Sequence, residues 1–257
     1  MYHFQYVTKA ELKPFKKRVI ELIHLVQDDV RNDFTFQYEF VGSVSRNMVT
    51  CDYKSNVGFD FDINIMVNDE DNEYSASEIK HILMDAFNKH ARKYKYDYCE
   101  DSTRVFTRKV KDTRNSRILH SCDFAIVKNY GDNQQQYIRF HKPEYYSWEE
   151  QPDGYYQLPL KIEFCKDHGL WLDVRNLYLQ KKNQNTDPAK KSRSIFAETI
   201  HQVCQRNGYY APVPGSQPLY ALDFQSPYDQ TVASLYLNQG FQKQDKSFQG
   251  ICTTWWD

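Results

Sequence analysis

The sequence predicts an α+β fold whose C-terminal half is helical. Three observations carry this. Apolar residues recur at helical spacing near the N-terminus. The period then shortens to two over several segments, each with one apolar face. After about residue 160 the helical pattern returns. Strands grouped ahead of helices in this way point to segregated layers rather than a regular βαβ alternation.

Taken in order, residues 10–32 place Leu12, Phe15, Val19, Ile20, Leu22, Ile23 and Val26 on one side of a helix, with charged residues between them. Phe34, Phe36, Tyr38 and Phe40 then alternate with Thr35, Gln37 and Glu39, a half-buried strand that runs into Val41-Gly42-Ser43. Residues 44–57 are polar and irregular, hence a loop. Residues 58–67 form the clearest strand, and Asn68-Asp69-Glu70-Asp71-Asn72 is an acidic turn. A helix is expected over 76–96, built on Ile79, Ile82, Leu83, Ala86 and Phe87. Strands are expected at 103–111, 117–128 and 135–141, and helices at 167–182 and 192–207. A last helix at 227–239 has Ser226 to cap it, Pro227 at its first position and Gly240 at its exit. The expected division is a core at 1–160 and a helical lobe with an irregular aromatic tail at 161–257.

Composition narrows the function. Hydrophobic residues make up 40% and aromatics 16% of the 257 residues, enough to bury a sizeable core. Lysine and arginine total 33 against 34 aspartate and glutamate, which excludes a globally basic nucleic-acid binder. No apolar run approaches the roughly 20 residues of a membrane span. The start of the chain has no signal-peptide pattern, and its six cysteines are widely spaced with no C-x-x-C. Reduced thiols and a cytoplasmic location are therefore expected.

The chemistry sits on two strands. Within 59–67, Phe59, Phe61, Ile63, Ile65 and Val67 form the core face, so Asp60, Asp62 and Asn64 share the opposite face. Carboxylates at i and i+2 lie roughly 7 Å apart at their Cα atoms. Aspartate is disfavoured in strands, and two like charges repel unless a cation bridges them. Taken alone, the pair also fits a wetted sheet face. The run Ile118–Val127 is strongly apolar apart from Asp123 near its middle. A lone carboxylate there needs a cation or a donor, unless it sits at a strand end in water. Three oxygen ligands with open positions suit Mg²⁺ or Mn²⁺ better than zinc. Upstream, Gly42-Ser43-Val44-Ser45-Arg46 offers a close backbone approach, the hydroxyls of Ser43 and Ser45, and turn N–H groups suited to phosphate oxygens.

Gly42-Ser43, Phe59-Asp60-Phe61-Asp62-Ile63 and Cys122-Asp123-Phe124 together resemble the DNA polymerase β-like nucleotidyltransferase superfamily. Within it the layout is similar to oligoadenylate synthetase, cyclic GMP-AMP synthase and their bacterial relatives, which pair such a core with a helical C-terminal lobe. The resemblance implies a mixed-sheet core and a two-metal enzyme moving a nucleotidyl group from a nucleoside triphosphate to an acceptor. Asp60 and Asp62 would hold metal, Asp123 would complete the site for the ion that activates the acceptor, and Gly42 and Ser43 would hold the triphosphate. The acceptor stays open: a nucleotide giving a linear or cyclic product, a tRNA end, a protein side chain or a small molecule. A non-catalytic nucleotide sensor on the same fold is the competing class, though it has no need of all three acids. Two departures are noted. The stretch between Ser43 and Asp60 is long, with extra residues around Cys51–Asn56. The lobe residues that touch the triphosphate match only loosely, with Arg175 and Ser194 as candidates. A packed helix pair with exposed Arg and Ser explains the same residues.

Two further patterns stand out. Arg104, Arg108, Lys109, Lys111, Arg114 and Arg117 form a basic run, either a solvated hairpin or a lure for phosphate; Lys181, Lys182, Lys190, Lys191 and Arg193 form a second. Cys165-x-x-His168 and His201-x-x-Cys204 could supply four zinc ligands or simply pack as helix core.

Overall fold

The computed structural model describes residues 2–54, 57–69, 71–130, 134–150 and 157–209. The helix expected at 227–239 and the aromatic tail lie outside these residues. Helix α1 (Lys9–Val30) starts at a capping box in which Thr8 and Glu11 satisfy each other's backbone N–H groups. Strand β2 (Thr35–Val41) follows, after β1 (Gln5–Tyr6), and leads into a single helical turn, α2 (Gly42–Ser45). Strand β4 (Phe59–Asn68) then precedes α3 (Ala76–Lys89), which has its own capping box at Ser75 and Glu78. The helix expected over 76–96 breaks at His90 into α3 and a short α4 (Ala91–Tyr94), which Lys95 ends in the left-handed conformation.

The main sheet has seven strands in the order β2-β4-β7-β6-β5, where β5 is Glu100–Asp101, β6 Val105–Asp112 and β7 Arg117–Tyr130. The long β7 lies parallel to β4 and antiparallel to β6, so the sheet is mixed. Its far end pairs with β8 (Gln134–Lys142), which pairs with β9 (Tyr145–Glu150). The expected strands at 103–111, 117–128 and 135–141 are thus all present, and β9 is an addition. Its segment, Tyr-Tyr-Ser-Trp-Glu-Glu, has no period-two alternation to announce it.

One sheet face carries Phe61, Ile63 and Ile65 of β4 beside Cys122, Phe124 and Ile126 of β7. It is buried under Leu22, Ile23 and Val26 of α1 and Ile79, Leu83 and Phe87 of α3. A second apolar cluster belongs to the C-terminal helices α5 (Gln157–Asp167), α6 (Trp171–Gln184) and α7 (Ser192–Arg206). The helix expected at 167–182 is present as α6, which starts after Gly169, whose φ of 68° turns the chain there; α5, ahead of that turn, is an addition. Met48, from the segment after α2, inserts into this helical cluster.

The segment expected to be a loop at 44–57 is tied down. Its strand β3 (Thr50–Cys51) pairs with β1. The fully buried Asp52 accepts from the His3 N–H at 2.7 Å. The adjoining Phe4 exchanges two hydrogen bonds with the Asn183 side chain of α6. The N-terminal strand thereby straps this segment to the helical lobe.

Under α1, His120 is stacked on Phe59, bonded through Nε2 to the Tyr96 hydroxyl at 3.0 Å, and almost fully buried. Burial lowers its pKa to about 4. Below the ordinary 6.5 the unfolded chain takes up a proton that the folded chain refuses. The neutral ring's contribution is therefore complete above pH 6.5 and is lost as pH falls toward 4, by up to roughly 3 kcal/mol. In urea titrations, the stability of wild type minus that of His120→Phe is expected to fall over this window; a pH-independent difference would contradict the assignment. Groups common to both proteins, including the acids of the cleft, cancel in that difference.

Candidate active site

The other face of the sheet holds the acids. The register places Val41 of β2, Asp62 of β4, Asp123 of β7 and Thr107 of β6 side by side in one row. The neighbouring row is Asp60, Ser121 and Lys109. Residues paired across a sheet point to the same side, so the three aspartates share one face. All three line a single cleft, together with Ser43, Arg46 and Thr50 from the segment after β2 and residues of α6 and α7.

Each carboxylate is held by a different element. The Ser43 backbone N–H favours the charged form of the Asp62 carboxylate. Its Oδ2 lies against the Cα of Gly42, where an added Cβ would sit only 2.1 Å away. Gly42 also has φ 63°, so the glycine is required both by backbone conformation and by the closeness of Asp62. Asp123 accepts from the Thr107 hydroxyl at 2.6 Å. Asp60 accepts from the Ser121 hydroxyl. Burial, followed by the charges of Asp123 and Asp60, raises the pKa of Asp62 to about 7. Burial raises that of Asp123 to about 6, opposed by the Thr107 bond.

Positive charge enters from the opposite wall. Lys182 of α6 donates to the Thr50 hydroxyl at 2.6 Å, and its ammonium lies 4.2 Å from the Phe4 ring centre. Burial lowers its pKa to about 8, while the charge of Asp60 opposes the shift. The Arg46 guanidinium stacks 4.4 Å over Phe196 of α7, and its charge is felt by Asp62. Tyr178 of α6 and Ser192 of α7 complete this wall with Arg193.

Of the residues singled out from sequence, Gly42, Ser43, Asp60, Asp62 and Asp123 come together here. Three others do not. Ser45 is exposed and turns back to donate to the Gly42 carbonyl at 3.0 Å. Arg175 stacks on Tyr6 at 4.4 Å, and its carbonyl accepts from the Tyr6 hydroxyl. It lies on the same face of α6 as Lys182 but two turns away, about 10 Å along the axis. Ser194 stands two residues from Ser192, which on a helix is the far side. The lobe residues that line the cleft are Lys182 and Ser192 rather than Arg175 and Ser194. Lys182 appeared only as one member of a basic run, and Arg46 only as the end of a Gly-Ser turn. Nothing local marks Thr107 or Ser121, whose meaning comes from strand pairing.

The first basic run is largely absorbed by the fold. Arg108 is fully buried and donates to the carbonyls of Phe87 and Asp97. Lys109, Lys111 and Arg117 pair with Glu100, Asp97 and Asp112. The Cys/His set does not converge either. Cys165 and Cys204 bring their sulfurs to 3.6 Å within the helical core. His168 bonds to the Phe164 carbonyl at the surface, and His201 faces Lys161.

The donor set of the cleft fits a hard divalent cation: three carboxylates with the hydroxyls of Ser43, Thr50 and Ser192, and no cysteine or histidine among the described lining residues. Among the described residues no three His, Cys, Asp or Glu side chains are drawn into a closed ligand set.

A mixed sheet presenting three aspartates to a cleft walled by C-terminal helices is an arrangement this chain shares in fold with known structures. The solved structures that share it include DncV of Vibrio cholerae. Its cyclic AMP-GMP synthase in complex with nonhydrolyzable GTP superposes with a TM-score of 0.52 at 12% identity, over 77% of this chain and 54% of that one. Its GTP-bound form gives 0.50 at 14% identity, over 80% and 54%. At such identities the likeness is one of fold, and the chain spans just over half the length of those structures. No protein-family model matches the sequence, and no curated protein matches it. Among the described residues no helix is long and apolar enough to cross a membrane.

Proposed function

We propose that the chain is a metal-dependent nucleotidyltransferase that moves a nucleoside monophosphate from a nucleoside triphosphate to a hydroxyl and releases pyrophosphate. The observation that carries this is the single row Val41–Asp62–Asp123–Thr107, which begins at the Gly-Ser turn and sets two of the three acids side by side. The fold shared with DncV supports a nucleotide as acceptor, giving a linear or cyclic oligonucleotide.

In this reading Asp60, Asp62 and Asp123 are the metal ligands and the catalytic residues. Bound Mg²⁺ or Mn²⁺ would supply Lewis acidity, lowering the pKa of the attacking hydroxyl and neutralising charge at phosphorus. The chain does the positioning. Gly42 and Ser43 bring backbone against the triphosphate. Lys182 meets its charge from the helical wall and Arg46 from beside the Gly-Ser turn, and partial desolvation strengthens both attractions. Asp62 stands against the Gly-Ser turn, so it lies on the triphosphate side. Asp123 lies one strand further out, on the acceptor side. The acceptor oxygen forms a bond to the α-phosphorus as the bond to pyrophosphate breaks, and in-line geometry supplies much of the rate.

The test is incubation of the protein with all four labelled nucleoside triphosphates and Mg²⁺, followed by identification of the product. Pyrophosphate and a labelled oligonucleotide are expected from wild type. Lys182→Met is expected to raise KM for the triphosphate by about tenfold, the loss of one charge-assisted contact. Arg175→Met should leave KM unchanged. Absence of any turnover, or a KM effect at Arg175 and none at Lys182, would refute this assignment of the cleft.

A further inference from the structure

Two hydroxyl side chains touch the acids, and the fold has little use for either. Thr107 lies in β6, where valine has the same shape and an equal liking for strands. Its hydroxyl donates to Asp123 Oδ1 at 2.6 Å. Ser121 is buried in β7, and its hydroxyl donates to Asp60 Oδ1. In each case one carboxylate oxygen is tied to a neighbouring strand and the other, Oδ2, is left to ligate.

We propose that Thr107 and Ser121 are positioning residues for the acidic cluster, each fixing the rotamer of one carboxylate so that a single oxygen serves the cation. The inference rests on the nucleotidyltransferase reading and assigns separate tasks within it. Across the sheet the order is Gly-Ser turn and Val41, then Asp62, then Asp123, then Thr107. Thr107 is therefore the hydroxyl farthest from the triphosphate turn, and it acts on the acid of the acceptor side. Its loss slows the chemical step without weakening capture of the triphosphate. Ser121 acts in the adjoining row, on Asp60. A hydroxyl donor suits this task because it adds no charge. It orients the carboxylate and leaves the full negative charge for the metal, whereas a lysine or arginine in its place would compete with the cation.

Binding of Mn²⁺ alone to the full chain, followed by loss of the free-ion paramagnetic resonance signal, tests this without relying on turnover. Thr107→Val and Ser121→Ala are expected to weaken Mn²⁺ binding by about tenfold, the low end for partners that orient a metal ligand. Thr107→Ser, which restores the hydroxyl, should bind as wild type does. In turnover, Thr107→Val should lower kcat and leave KM for the triphosphate unchanged, a split that general loosening of the strand does not produce. Asp60→Asn and Asp123→Asn are the reference variants. If they weaken Mn²⁺ binding while Thr107→Val and Ser121→Ala match wild type, the positioning role is wrong and the nucleotidyltransferase reading stands. If the aspartate variants also bind like wild type, the ion is not held by these acids, and both proposals fall.

Discussion

Replacing Asp62 with asparagine is expected to reduce pyrophosphate release by more than about 100-fold, beyond the range seen when a residue that merely supports a metal ligand is lost. Asp62 is the acid placed centrally, between the Gly-Ser turn and Asp123. The same change should not destabilise the metal-free protein. Burial and the two neighbouring acids hold its pKa near 7, well above the usual carboxylate value, so its charge is a burden to the folded state at pH 8. Asp62→Asn should therefore melt at an equal or higher temperature than wild type at pH 8. The gap should close as pH falls through 7 toward 4 and the wild-type carboxyl takes up its proton. Added Mg²⁺ should raise the melting temperature of wild type and not that of the variant. Retained turnover, or equal stabilisation of both proteins by Mg²⁺, would show that the acids do not bind the catalytic ion.

Gly42→Ala is expected to be nearly as damaging to activity, for a steric reason. The new methyl would lie 2.1 Å from Asp62 Oδ2, far inside contact distance, on a residue held at φ 63°. The left-handed conformation alone costs about 1–2 kcal/mol for a residue with a Cβ. Displacing the carboxylate by even 1 Å is expected to lower kcat by about 100-fold. Gly169→Ala isolates the first effect. Gly169 has φ 68°, and a Cβ added there would meet nothing within 4 Å, so that variant should lose stability and keep its turnover. If Gly42→Ala loses no more activity than Gly169→Ala, the contact with Asp62 is not what the glycine serves.

Much of the site was legible in the sequence because its signals are local. The alternation of Phe59, Phe61 and Ile63 with Asp60 and Asp62 fixes which side each residue takes once the segment is a strand. Asp123 stood out because its neighbours are apolar. The Thr8–Glu11 and Ser75–Glu78 capping boxes can likewise be read in four residues. The errors fell where a longer reach was needed. The helix at Gln157–Asp167, which ends just before the turn at Gly169, went unread, and the strand at Tyr145–Glu150 has no periodic face. Arg175 and Lys182 share a face of one helix. Choosing between them needs the position of the N-terminal strand, which places Tyr6 over the first and Phe4 over the second.

The sequence by itself determined that Asp60 and Asp62 share a polar sheet face, that Asp123 sits in a second apolar strand, and that helices follow the sheet. These are consequences of backbone periodicity, which each segment carries within itself. Only the tertiary structure decided that β7 runs parallel beside β4 with Asp123 opposite Asp62, that Thr107 and Ser121 meet the carboxylates, and that Lys182 rather than Arg175 reaches the cleft. Strand register and helix docking are set by packing between segments distant in the chain, and no local pattern encodes which residue will face which across that gap.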